Sequence, residues 1–215
     1  MLSELGININ LDENKIIDCL NKINLCFLFA PNFHPILKNV ADIRKKIGKR
    51  TIFNILGPLL SPVECKKQII GVYDPSILVK VAEVLKKLET DFAWVVSGDK
   101  EYDELTTTGK NYIAEIKNNT IKEFEIDTNE FGLKKSKKEE LVGGDSKKNA
   151  EIIKEILKGD LLGAKKDIVL LNSAAALYIN GKTENIKSGL DIVNETIESG
   201  KTLKKLEDLI ELTNS

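Results

Sequence analysis

The chain has 215 residues, 42% hydrophobic and 30% charged, with 32 basic against 33 acidic side chains and a formal net charge of −1. That length suits one globular domain, or one plus a fragment. The near-neutral balance gives no overall electrostatic reason to hold nucleic acid, so any phosphate must be met locally. No apolar run approaches the ~18 residues of a membrane span, and the start MLSELG lacks the basic and apolar regions of a signal peptide, so a cytoplasmic protein without a membrane partner is expected. Cys19, Cys26 and Cys65 are an odd set without zinc-site spacing and read as reduced, buried small hydrophobes.

Residues 12 to 22 open with Asp12 as an N-cap and carry apolar residues at helical spacing, which predicts a helix. The short apolar run Leu25 to Ala30 predicts a buried strand. In the following stretch Pro35 suits a first helical turn and Gly48 a helix end, while Gly57-Pro58 and Pro62 close a second short helix. From Lys67 the pattern becomes strand (QIIGVY), amphipathic helix to about Leu88 and strand (FAWVVSG), a βαβ crossover with a parallel pair. Residues 103 to 127 read as β structure turning at Asn118-Asn119, then a Lys-rich loop over 134 to 140. Helices are predicted at 149–157, 167–179, 183–199 and 203–212. Met1 to Gly6 reads as a lone last helical turn, frayed or belonging to a larger domain.

Two constellations could carry chemistry. Of the 32 basic side chains only Arg44 and Arg50 are arginine, and both lie near the single histidine, His34. Where lysine serves for charge, a retained arginine points to a site needing a planar, two-pronged guanidinium. With the backbone of Gly57-Pro58 this set suits an anionic planar ligand. The two arginines sit about 240° apart on a continuous helix, so only one can face it. Arginine capping of helix carbonyls and a packed His34 are the plain alternative. The second constellation is Asp103-Glu104, after the Val95–Gly98 strand: adjacent acids at the carboxyl end of a parallel strand suit Mg²⁺, which is commonly held by one or two carboxylates plus substrate phosphates. Its alternative is a solvated acidic turn that includes Asp99 and Glu101. Gly143-Gly144-Asp145 reads as a turn and N-cap, and the small residues from Asn172 to Leu177 as a close helix-packing face.

The collinear strings FLFAPNFHPILKNVADIRKKIGKRTIFNILGPLLSP, QIIGVYDP, YDELTTTG, GGDSKKNA and DIVLLNSAAALYINGK resemble the C-terminal part of the anthranilate phosphoribosyltransferase family over essentially the whole chain. The resemblance implies an α/β fold of the nucleoside phosphorylase/phosphoribosyltransferase kind, with a largely parallel central sheet flanked by helices. It implies a glycosyltransferase that joins phosphoribosyl pyrophosphate and anthranilate in tryptophan biosynthesis, with Mg²⁺ as cofactor. Residue by residue, Arg44 matches the arginine that binds the anthranilate carboxylate. His34 and Gly57-Pro58 match the lining of the anthranilate site, and Asp103 and Glu104 the Mg²⁺-binding pair. The family's GTGGD loop and KHGN motif do not occur in the sequence. The resemblance therefore predicts that residues 1–215 are a truncated α/β domain, inactive alone, with 35–62 completing an absent N-terminal helical domain. A complementing N-terminal chain or a homodimer is its expected partner. A non-catalytic binding domain of the same fold, and a nucleic-acid-binding relative using the Lys-rich loop, are the competing readings.

Overall fold

The computed structural model describes residues 1–34, 46, 48 and 51–215. In chain order the principal elements are α1 (Glu13–Ile23), β1 (Lys67–Gly71), α2 (Leu78–Lys87), β2 (Phe92–Gly98), β3 (Asn111–Lys117), β4 (Thr120–Ile126), α3 (Ser146–Lys158), α4 (Ala164–Asn180), α5 (Ile186–Glu198) and α6 (Lys201–Asn214). They form two compact units.

One unit holds Val63–Val142 and Gly159–Glu198. Its sheet runs β1-β2-β3-β4. β1 and β2 are parallel, in register from Lys67↔Phe92 to Gly71↔Val96, and α2 makes the crossover. Asp74 starts that crossover by accepting from the Ser76 N–H at 2.9 Å, and Leu78, Val81, Ala82 and Leu85 form the buried stripe. All of β2 is buried, as a strand covered on both faces must be. Trp94 and Val96 pack with Leu170, Leu171, Ala174 and Ile179 of α4. α5 lies close on α4, where a Cβ at Gly189 would come 3.0 Å from Ala174. The small residues of α4 thus do serve close packing. β2–β3 and β3–β4 are antiparallel, the latter pair joined across Asn118 (φ 50°) and Asn119 (φ 59°), a two-residue hairpin in which both residues take the left-handed conformation that asparagine tolerates.

The α/β class and the helix-flanked sheet agree with expectation, but the pairing is corrected: the sheet of the described residues is mixed, with one parallel and two antiparallel pairs. The Asn-Asn hairpin reverses the chain between β3 and β4, and the connection from β2 to β3 holds no helix to make the crossover that a parallel neighbour needs.

The other unit comprises Met1–Pro62, Gly143–Lys158 and Ser199–Ser215. Its core joins Leu5 and Ile7, Cys19 of α1, Ala150 of α3 and Leu206 and Leu209 of α6. Asp12 caps α1 through the Lys15 N–H at 2.8 Å, and Asp145 accepts from the Lys148 N–H at 2.8 Å at the start of α3. The first residues are not a frayed turn. Leu2–Leu5 form a 3₁₀ turn closed by Gly6 at φ 94°, and the Asn214 amide donates to Gly6 O at 2.8 Å.

Two further expectations are corrected. Leu25 to Phe29 form no ladder with any described strand; Leu25 is exposed, the rest half-buried, and Ala30–Phe33 make one helical turn with Pro31 in its first positions. An apolar run alone does not make a strand without a partner for its main chain. Of the cysteines only Cys19 is buried; Cys26 is half-buried and Cys65 exposed. Burial pushes the Cys19 and Cys26 thiols above their ordinary pKa.

Candidate phosphate and metal site at the carboxyl ends of β1 and β2

The loop after β2 begins with Asp99 (φ 47°) and Lys100 (φ 59°), both left-handed. Gly98 and Tyr102 exchange two backbone hydrogen bonds of 2.9 Å each, which folds the chain back over the sheet. Asp103 and Glu104 then cross the ends of β1 and β2 in direct contact. A Cβ at Gly71 would lie 1.5 Å from Asp103 O, and one at Gly98 2.4 Å from Glu104 O. Both strands must therefore end in glycine for this acidic pair to sit where it does.

Residues 105–111 continue from the acidic pair as a buried polar anchor. Leu105 is fully buried, and its main chain is held by Asn172 of α4: Leu105 N–H donates to Asn172 Oδ1 at 3.1 Å and Asn172 Nδ2 donates to Leu105 O at 2.8 Å. Asn111, also fully buried, repeats the device on Thr106, accepting from its N–H at 2.7 Å and donating to its O at 2.9 Å. Thr108 Oγ1 donates to Asp99 Oδ2 at 3.1 Å. Each buried main-chain group named here has its partner, the condition for a loop to keep one conformation.

The competing acids are thereby assigned. Asp99 is spent on Thr108, and its carboxylate fills the space a Cβ at Gly109 would need, 2.2 Å away. Glu101 pairs with Lys138. Asp103 and Glu104 lie at a bend, exposed as residues, and among the described residues neither pairs with a basic side chain. The Glu104 carboxyl is nevertheless pushed above its usual pKa, first by burial against the loop and then by the neighbouring Asp103 charge. A cation would relieve both causes, and two carboxylates with an open side fit Mg²⁺ that takes its other ligands from water and phosphate. No group of three or more His, Cys, Asp or Glu able to hold a metal exists among the described residues, so the site is suited to a metal that arrives with its substrate.

His34, Gly57 and Pro58, the residues predicted to line an anionic planar ligand, belong to the other unit. His34 ends the turn Ala30–Phe33, its N–H donating to Ala30 O at 2.9 Å, and is half-buried. Gly57 and Pro58 lie exposed within a short helix, Phe53–Leu59, which ends between Pro58 and Pro62. Arg44 and Arg50 fall outside the described residues. Gly143-Gly144-Asp145 is the turn and cap expected, with Asn149 clamping it: Gly144 N–H donates to Asn149 Oδ1 at 2.8 Å. Sequence reasoning misses the clamps Asn172 and Asn111; the signal available for Asn172 is a polar residue on an otherwise apolar helix face. Gly71, inside an apolar strand, is also legible as a close backbone approach.

The family model "Glycosyl transferase family, a/b domain" matches residues 1–203. The anthranilate phosphoribosyltransferase of Clostridium kluyveri is 45% identical over 214 residues, covering 100% of this chain and 64% of its own length. That of Petrotoga mobilis is 42% identical, with 62% of its length covered. Among solved structures, the anthranilate phosphoribosyltransferase of Thermus thermophilus superposes with a TM-score of 0.92 at 32% identity, over 100% of this chain and 63% of that one. The Saccharomyces cerevisiae enzyme in complex with PRPP and Mg gives 0.91 at 29% identity, over 99% of this chain and 61% of that one. The chain thus spans somewhat under two thirds of the length of these relatives. With its sequence matched almost end to end, the chain belongs to the glycosyl transferase family and carries that family's a/b domain.

Proposed function

We propose that this chain takes part in transfer of a phosphoribosyl group from phosphoribosyl pyrophosphate to anthranilate, in tryptophan biosynthesis in the cytoplasm. The observation that carries the reading is the Asp103-Glu104 pair, pinned over two glycine strand ends in a chain 45% identical throughout to an anthranilate phosphoribosyltransferase. Asp103 and Glu104 would hold Mg²⁺ on the diphosphate. When bound, the ion neutralises charge building on the departing pyrophosphate. Asn172 and Asn111 keep the loop from moving, so its carboxylates need no reorganisation as that charge develops. Arg44 would bind the anthranilate carboxylate through two parallel hydrogen bonds, with His34, Gly57 and Pro58 lining the site. In the transfer a C–N bond forms at ribose C1′ as the C–O bond to pyrophosphate breaks, and the amine loses a proton.

The sequence contains neither the GTGGD loop nor the KHGN motif that the resemblance assigns to the pyrophosphate, which supports low activity for residues 1–215 alone. Residues 35–62 would complete a helical domain, and the partner is a complementing polypeptide or a dimer. The test follows anthranilate fluorescence with phosphoribosyl pyrophosphate and Mg²⁺, for the chain alone and after adding the segment of the Clostridium kluyveri relative that this chain does not match. Slow turnover alone and restored turnover in the mixture support the reading. Near-normal turnover alone overturns the dependence on a partner, and a mixture that binds yet leaves anthranilate unconsumed overturns the activity.

A further inference from the structure

The Lys-rich stretch 134–140 has no role in the site described so far. Lys134, Lys135, Lys137 and Lys138 are exposed, and Ser136 between them is half-buried. Before it Phe131 and Leu133 pack against the core. After it Lys138–Leu141 form one helical turn, and Glu140 Oε2 accepts from the Lys137 N–H at 2.6 Å. Held on both sides, the serine turns inward: its N–H donates to Thr107 O at 2.9 Å. Its hydroxyl shares a hydrogen bond of 2.7 Å with that of Thr107, a fully buried residue. The stretch has a second tie, Lys138 with Glu101, but an ion pair between two exposed side chains contributes little.

Three successive residues after Glu104 are thus each held by another residue's polar groups: Leu105 by Asn172, Thr106 by Asn111 and Thr107 by Ser136. Asn172 stands on α4 and Asn111 at the start of β3, whereas Ser136 lies outside any helix or strand. We propose that Ser136 is a positioning residue for the metal site, acting through Thr107 on the Asp103-Glu104 pair. Leu105 and Thr106 alone separate Thr107 from Glu104, and both have fixed main chains, so a displacement of Thr107 is passed on rather than absorbed. Without the Ser136 hydroxyl, Thr107 keeps one tie in place of two, and among the described residues its own buried hydroxyl loses its partner. Carboxylates held less firmly bind a metal less well, because groups that orient ligands tune their affinity. The exposed lysines around Ser136 keep the stretch solvated and take no part. The inference rests on the reading that Asp103 and Glu104 hold Mg²⁺ on the diphosphate, and not on the transfer itself.

The test compares Ser136→Ala, Ser136→Thr and Thr107→Val with the parent and with Glu101→Gln. Mn²⁺ titrated into the chain alone, read by NMR as broadening of the Asp103 and Glu104 amide signals, reports on the pair without any turnover. In the mixture with the complementing segment, the Mg²⁺ requirement and KM for each substrate are measured. Ser136→Ala should raise the half-effect concentrations of both ions about threefold or more, below the ~10-fold typical of a group that touches a metal ligand directly. KM for anthranilate should stay unchanged. Ser136→Thr, which keeps the hydroxyl, should follow the parent, as should Glu101→Gln. Thr107→Val removes the same hydrogen bond, so adding Ser136→Ala to it should change little. Unchanged amide protection at Val95, buried in β2, shows that Ser136→Ala is folded; if it is not, Ser136→Cys, close in shape and only a weak donor, makes the same test. The proposal is overturned by a folded Ser136→Ala with the parent's metal dependence, by a loss that Ser136→Thr shares, by an equal rise in KM for anthranilate, or by additive effects of the two single variants. Parent Asp103 and Glu104 signals that Mn²⁺ leaves sharp overturn the metal reading and the proposal together. A parent mixture that consumes no anthranilate counts against the transfer reaction, and the Mn²⁺ titration still decides the role of Ser136.

Discussion

Replacing Asn172 tests whether the acidic loop is held from below. Asn172→Ala removes the hydrogen bonds at 3.1 and 2.8 Å to Leu105 N–H and O and a third, at 2.9 Å, to Ile168 O. The Ile168 carbonyl is in a helix and keeps its main-chain donor, so that loss is small. Leu105 is fully buried, and water reaches its main chain only if the loop lifts. Two buried groups left unpaired cost about 1–3 kcal/mol each; since the alanine cavity admits partial relaxation, about 2–4 kcal/mol in total is expected. Asn172→Asp keeps an acceptor for the Leu105 N–H but sets a carboxylate against Leu105 O, and should cost at least as much near neutral pH. Urea denaturation gives the totals, and amide exchange at Leu105 shows whether the loss is local. A cost below about 0.5 kcal/mol for Asn172→Ala, the bottom of the range for a single net hydrogen bond, with Leu105 protection unchanged, would refute the clamp.

Gly71→Ala sets a Cβ 1.5 Å from Asp103 O, so the loop must move by about 2 Å to restore an ordinary contact of about 3.5 Å. It should destabilise by about 1–3 kcal/mol and, in the mixture with the complementing segment, lower turnover by about 10²-fold; a denaturation midpoint and rate equal to the parent's would contradict the close approach. Arg44→Lys keeps the charge but loses the two-pronged fit, so KM for anthranilate in the same mixture should rise about tenfold or more with little change in KM for phosphoribosyl pyrophosphate. Asp167 has its pKa raised by burial, opposed by Lys166. Its protonated form is therefore favoured by folding, and the charged form carries a penalty at all pH values above the folded-state pKa. Asp167→Asn should raise Tm at pH 7, with the gain shrinking as pH falls through the carboxylate range; a gain that grew on acidification would reverse the sign.

The sequence makes α1, the β1-α2-β2 crossover, the Asn118-Asn119 hairpin and the four later helices legible, because each announces itself locally: Asp12 and Asp74 as caps, period-3.6 apolar stripes, and an asparagine pair where both residues need positive φ. Failures come where the outcome depends on a neighbour. Leu25–Phe29 has strand composition and no ladder partner among the described residues, and Cys65 is small but has no core around it. At the site, Asp103-Glu104 is visible in the sequence as a pair. What tells it from Asp99 and Glu101 is tertiary, since only folding shows that those two are occupied by Thr108 and Lys138. Asn172 is 67 positions from Leu105, a separation no local pattern encodes.

The central claim is that Asp103 and Glu104 hold the metal on the diphosphate. It is tested by titrating Mg²⁺ into the chain mixed with the complementing segment, phosphoribosyl pyrophosphate and anthranilate, comparing the parent, Asp103→Asn/Glu104→Gln and Glu101→Gln. The account predicts that the double variant needs more Mg²⁺ and turns over at least about 10²-fold more slowly, while Glu101→Gln, which loses only an exposed pair with Lys138, follows the parent. A double variant with the parent's Mg²⁺ dependence and rate would contradict it.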